Sequence, residues 1–186
     1  MAATTPSATA TALFAGGCFW CMQPAFDCTP GVSATQVGYT GGAASTATYE
    51  QVSRGDTGHV EAIQVTYDPA QVTYAHLLKT YLENIDPTDG EGQFADRGTH
   101  YMPAIYYADT TQQQTAEQAL AAIAPKFAPK PISVKLLPAS AFYVAEAYHQ
   151  KYYEKNATHY NAYKVGSGRA SYLENTWKKN HTGTRN

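Results

Sequence analysis

The chain has 186 residues, of which 44% are hydrophobic and 15% charged, with a formal net charge of −2. Length and hydrophobic content suit one domain with one sizeable core. The weak acidic balance leaves no footprint for nucleic acid or an anionic membrane surface, and no apolar run is long enough to span a bilayer.

Residues 1–11, rich in Ala, Thr, Pro and Ser, lack the basic start and apolar centre of an intact secretory signal. They read as a flexible N-terminal arm, and residues 12–186 as a single domain. A cytoplasmic location is expected, with a trimmed targeting segment left open. Ala12–Ala15 is a short buried strand, followed by Gly16-Gly17-Cys18-Phe19-Trp20-Cys21 and helical spacing from Met22 to Phe26. Cys18 therefore sits where a strand turns into a helix. Unpaired amides and the positive end of the helix dipole favour an anion there, and a thiolate is such an anion. Pro24 lacks the N–H that would bond the Trp20 carbonyl, so the helix either starts near Cys21 or is kinked. All three cysteines fall within the first 28 residues, which points to a site and not to a disulfide framework.

Val32–Tyr39 reads as a strand ended by Gly41-Gly42, and Tyr49–Val52 as a short helix. His59–Tyr67 is the clearest strand, with Glu61, Ile63, Val65 and Tyr67 on one face at period two. Glu61 thus begins an apolar row. Desolvation raises a carboxyl's pKa, and a carboxyl held neutral can act as a general acid. Tyr74–Ile85 is an amphipathic helix, Asp86–His100 a long loop, Ala104–Tyr107 a strand and Thr111–Ala124 a helix. Ile132–Leu136 reads as a strand and Ala141–Asn156 as a long helix, with Ala145, Tyr148 and Tyr152 on one face. The tail from Asn161 is polar, with helical character over Tyr172–Lys178. Short strands interleaved with helices imply an α+β two-layer sandwich.

Several strings in order resemble the A-type peptide methionine sulfoxide reductases. They are Gly-Cys-Phe-Trp-Cys at 17–21, Gly38-Tyr39-Thr40-Gly41-Gly42, Tyr49-Glu50-Gln51-Val52, Gly55–Glu61, Asp86-Pro87-Thr88, Asp96–Tyr101 and Ala145–Gln150. The resemblance spans Leu13 to Tyr153 and implies a ferredoxin-like α+β sandwich with additional elements. It also implies reduction of the S epimer of methionine sulfoxide, free or in proteins. In that reading Cys18 is the nucleophile and Glu61 the proton donor. Tyr49 and Tyr101 hydrogen-bond the substrate oxygen, Phe19 and Trp20 form an apolar wall for the S-methyl group, and Asp96 anchors the substrate. Cys18 becomes a sulfenic acid that a second thiol converts to a disulfide, regenerated by thioredoxin or another dithiol. No metal or other cofactor is implied, and the protein is expected to act as a monomer.

The chain departs from many relatives in having no cysteine beyond Cys28, Cys21 where glycine is common, and Met102-Pro103 where Arg-Ser is usual. Cys21, close to one helical turn from Cys18, is the expected resolving thiol. Cys28 is either a structural thiol or a second relay. Two other readings compete: a Cys₃His zinc module of Cys18, Cys21, Cys28 and His59, and a general thiol–disulfide oxidoreductase. The first gives no role to the Phe19-Trp20 pair, and the second none to Glu61 or the paired tyrosines.

Overall fold

Alternating apolar residues in the computed structural model, which describes residues 9–178, build a mixed sheet with helices on one face. In chain order the elements are β1 (Ala10–Ala15), α1 (Phe19–Asp27), β2 (Val32–Thr40), α2 (Tyr49–Val52), β3 (Val60–Tyr67) and α3 (Tyr74–Leu82). Then follow β4 (Gly92–Gln93), β5 (Asp96–Arg97), β6 (Ala104–Tyr107), α4 (Thr110–Phe127), β7 (Lys135–Pro138) and β8 (Phe142–Val144). Three helices follow, α5 (Tyr152–Lys155), α6 (Ala157–Gly166) and α7 (Arg169–Leu173), and a π-helical turn over Glu174–Lys178 ends the described chain. The large sheet has six strands in the order β7-β6-β1-β3-β2-β8, and β4-β5 is a separate hairpin. All pairings in the large sheet are antiparallel except β6 with β7.

Helices α1, α3 and α4 cover one face. Phe14, Tyr39, Ile63, Val65 and Ile105 project from the strands into that layer and meet Phe19, Phe26, Leu77, Leu78 and Tyr81. Phe14 stacks between Phe26 and Tyr81, with ring centroids 5.5 and 5.0 Å away. The Tyr81 hydroxyl donates to the Ala15 carbonyl at 2.7 Å, tying α3 to the end of β1. Val60, Ala62, Ala104 and Tyr106 point to the other face and form a smaller cluster. β3 therefore alternates as its sequence implies, and Glu61 begins the row that faces α1, directly across from Tyr39 in register.

Several boundaries differ from the sequence expectations. β1 begins at Ala10, so part of the expected arm is strand; residues 1–8 of that arm lie outside the described residues. α1 begins at Phe19, ahead of the expected start, and Pro24 lies inside it. The Asp86–His100 loop contains the β4-β5 hairpin. Gln93 organises it from within: its Oε1 accepts from the Asp86 N–H, and its Nε2 donates to the carbonyls of Asp86 and Asp89. The strand expected at Ile132–Leu136 is centred later, at Lys135–Pro138.

The expected helix Ala141–Asn156 is replaced by β8, a turn and α5. The physical reason is that its side chains bind other segments. The Gln150 amide accepts from the Val37 N–H at 2.9 Å and donates to the Val37 carbonyl at 2.8 Å, completing the β2 edge where β8 ends. The polar tail from Asn161 is ordered helix in α6 and α7. Among the described residues no helix is long and apolar enough to cross a membrane.

Candidate active site

The turn between β1 and α1 places Cys18 at the N-cap of α1, where its carbonyl accepts from the Cys21 N–H at 3.0 Å. Gly17 makes this turn possible with φ of 76°, and a Cβ there would lie 2.5 Å from the Gln93 Cβ. The next amide of α1 has no partner within the helix and finds one across the sheet. Phe19 N–H donates to Glu61 Oε2 at 3.0 Å. This bond fixes the carboxyl of β3 beside the thiol turn.

Glu61 is 3% exposed. Burial pushes its pKa up to about 8, opposed by the Phe19 N–H and reinforced by Asp96 and Cys21. At neutral pH the carboxyl holds a proton. Cys18 and Cys21 are both buried and unbridged, and their thiols are hydrogen-bond partners. Burial, this bond and the nearby Glu61 push the Cys18 thiol up. The same bond, with help from Arg169 and against burial, draws Cys21 down. The two thiols therefore titrate as a coupled pair, with burial opposing the charge and Arg169 favouring it on Cys21.

The phenols expected beside Glu61 are there. Tyr49 opens α2, and Tyr101 ends a 3₁₀ turn at Thr99–Tyr101. Burial raises both, and both feel the charges of Glu61 and Cys18. Asp96 comes from β5, half-buried, and accepts a short hydrogen bond from the Tyr163 hydroxyl of α6. Burial raises its pKa, while Tyr163, Arg169 and His100 act to lower it.

Of the two expected wall residues, Phe19 is 1% exposed and packs between Tyr39 and His149, at 5.9 and 5.0 Å. Only half-buried Trp20 keeps accessible surface. Its ring stacks on Tyr152 at 3.8 Å and meets the edge of Tyr163 at 6.2 Å. Its Nε1–H donates to His149 Nδ1 at 3.0 Å. Burial lowers the His149 pKa to about 4, so the imidazole is neutral. Glu146 braces the other side, accepting from the Tyr49 N–H at 2.8 Å and the Tyr39 hydroxyl at 2.7 Å. The segment Glu146–Gln150 thus orients Trp20, Tyr49 and β2 together.

Other sequence candidates fall elsewhere. Cys28 is exposed at the far end of α1, seven residues beyond Cys21. That is about 10 Å along a helix axis, beyond the Cα separation a disulfide allows. His59 Nδ1 accepts from the Gly42 N–H and its Nε2 pairs with the Ala43 carbonyl, which engages both ring nitrogens away from the cysteines. Met102 lines a groove with Gly41, Val60 and Tyr106 on the sheet face away from the helices. Sequence reasoning missed Tyr163 and Arg169, which reach the site from the presumed tail. The Gly166-Ser167-Gly168-Arg169 turn was the one available signal, and it carries no periodicity.

The match to known proteins is extensive. The family model described as peptide methionine sulfoxide reductase matches residues 10–181. A peptide methionine sulfoxide reductase of Listeria monocytogenes is 48% identical over 168 residues, covering 90% of this chain and 95% of that protein. One from Bacillus velezensis is 47% identical over the same span. The solved methionine sulfoxide reductase A of Corynebacterium diphtheriae superposes with a TM-score of 0.75 at 38% identity, covering 83% of this chain and 77% of that one. Mxr1 from Saccharomyces cerevisiae in reduced form gives 0.77 at 28% identity, with 83% and 89% covered.

Proposed function

The chain belongs to the peptide methionine sulfoxide reductase family, and from that premise we propose how its own residues carry out the reduction. The bond from the Phe19 N–H to the buried Glu61 carboxyl, beside Cys18, is the observation that carries the reading. It joins a proton donor to a sulfur nucleophile through a single backbone amide.

Sulfoxide sulfur is a poor electrophile until its oxygen is protonated. Neutral Glu61 gives its proton to that oxygen, with Tyr49 and Tyr101 as hydrogen-bond donors to it. In the reactive form of the pair, with one proton between the two sulfurs, Cys18 attacks the methionine sulfur as that proton passes to Cys21. The sulfur–oxygen bond of the substrate breaks, the oxygen ends on Cys18 as a sulfenic acid, and methionine leaves. Cys21 then attacks the Cys18 sulfur and displaces water, forming a Cys18–Cys21 disulfide. Two electrons from an external dithiol, thioredoxin in this reading, restore both thiols. Asp96 anchors the substrate and Trp20 flanks its methyl group. The S epimer is the proposed substrate, free or within oxidised proteins. The run β1-α1-β2-β3-α3-β6 with strand order β6-β1-β3-β2 supports a ferredoxin-like frame.

Single turnover of pre-reduced protein with each epimer of a blocked methionine sulfoxide tests this. One equivalent of methionine should form from the S epimer only, and Cys18→Ser should form none while staying folded. Turnover by folded Cys18→Ser, or equal rates for both epimers, would contradict the reading. A general disulfide reductase would instead act on disulfides without any need for Glu61.

A further inference from the structure

Arg169 has no part in the reaction above, yet it is 1% exposed. Its Nη2 donates to the Gly16 carbonyl at 3.0 Å and its Nη1 to the Asn84 carbonyl at 2.6 Å. Its Cζ lies 4.6 Å from the centre of the Phe94 ring, and Nη1 lies 3.9 Å from the Met22 sulfur. Among the described residues no carboxylate is within ion-pairing distance of it. A guanidinium cannot shed its proton, so this is a permanent buried cation held by neutral groups. Leaving such a charge without a counter-charge is costly. Cys21, Asp96 and Tyr160 all feel it, and Cys21 is the one of the three that belongs to the thiol pair.

We propose that Arg169 is a positioning residue for the thiol centre: it holds the Gly16-Gly17 turn that presents Cys18 and sets a fixed positive charge directly behind that turn. The two roles follow from one side chain. Its fork ties the end of β1 to the end of α3 through two carbonyls, and only a planar guanidinium spans both. Gly17 is part of the fit, since a Cβ there would meet Nη2 at 2.9 Å. The proposal rests on the reading that Cys18 and Cys21 are the reacting thiols. The other titratable groups facing the pair are Tyr49 from α2, Glu61 from β3, Asp96 from β5, Tyr101 from the 3₁₀ turn, and Tyr160, Tyr163 and Lys164 from α6. Lys164 is the second cation, but it is only half-buried and makes a weaker contribution than Arg169.

Iodoacetamide alkylation of the reduced full chain, followed by mass on the peptide carrying Cys18 and Cys21 across pH, reads the thiolate directly. Arg169→Gln should move the alkylation midpoint up by about one pH unit or more and slow single turnover at neutral pH about tenfold. Arg169→Lys should recover much of the midpoint but little of the rate, because an ammonium keeps the charge without the fork. A folded Arg169→Gln protein with the parent midpoint and rate would overturn the proposal. Should that variant not fold, the parent labelled with ¹⁵N-arginine decides. The Arg169 guanidinium resonances must shift with the same midpoint as alkylation, and resonances unmoved through it would overturn the proposal. Peptide mapping after one equivalent of sulfoxide tests the underlying reading separately. A disulfide other than Cys18–Cys21 would sink that reading while leaving the titration of the reduced thiols to judge Arg169.

Discussion

One side chain at this site carries a proton where solution chemistry would not put it. Glu61 keeps its proton to about pH 8 because burial outweighs the single N–H bond it receives. The unfolded chain releases that proton near pH 4.5, so between these values the folded state binds more protons and its stability falls as pH rises. Glu61→Gln has no charge to desolvate. It should be more stable than the parent at pH 7 by on the order of 2–3 kcal/mol and show a flatter stability profile from acid to neutral pH. Urea unfolding of both proteins at several pH values checks this. An identical pH dependence would mean that the carboxyl is ionised in the fold. Loss of activity together with a gain of stability would mark Glu61 as a residue kept for chemistry.

At the scale of elements, the β1-α1 turn sets the geometry. Gly17→Ala must strain a left-handed backbone and displace Gln93 and Arg169, which line the space its Cβ would enter. It should cost roughly 2 kcal/mol or more and slow the reaction, read by thermal unfolding and single turnover together. Along α1, Cys21 is in contact with Cys18 and Cys28 is not. Cys21→Ser should therefore stall with a trapped sulfenic acid on Cys18 after one turnover, detectable by dimedone labelling. An intramolecular disulfide formed at the parent rate would instead make Cys28 the resolving thiol. Most of this element logic was legible in the sequence. Glycines before Cys18 signalled the turn, and period-two alternation put Glu61 on the face of Ile63 and Val65. The segment around Glu146 was misread because Ala145, Tyr148 and Tyr152 have helical spacing while Glu146 and Gln150 are bound to Tyr39, Tyr49 and Val37. Periodicity reports one element's own face and is blind to side chains that complete another's backbone.

Across the whole molecule, the site is assembled from segments far apart in sequence. Cys18 comes from the β1-α1 turn, Tyr49 from α2, Glu61 from β3, Asp96 from the hairpin and Tyr163 and Arg169 from the last helices. The C-terminal helices complete the centre, through Tyr163 on Asp96 and Arg169 on Gly16. Only the fold brings these contributions together, which is why the tail's part in the site was hidden in a stretch of polar residues. The proposed role of Glu61 is to activate the sulfoxide, in its protonated form, for attack by Cys18. Its most direct test is the single-turnover rate of pre-reduced parent and Glu61→Gln proteins measured across pH. The parent rate should decline above about pH 8 as Glu61 loses its proton, and Glu61→Gln should be slower by on the order of 10²-fold with that decline absent. A Glu61→Gln protein that keeps the parent rate and the parent alkaline limb would contradict the claim.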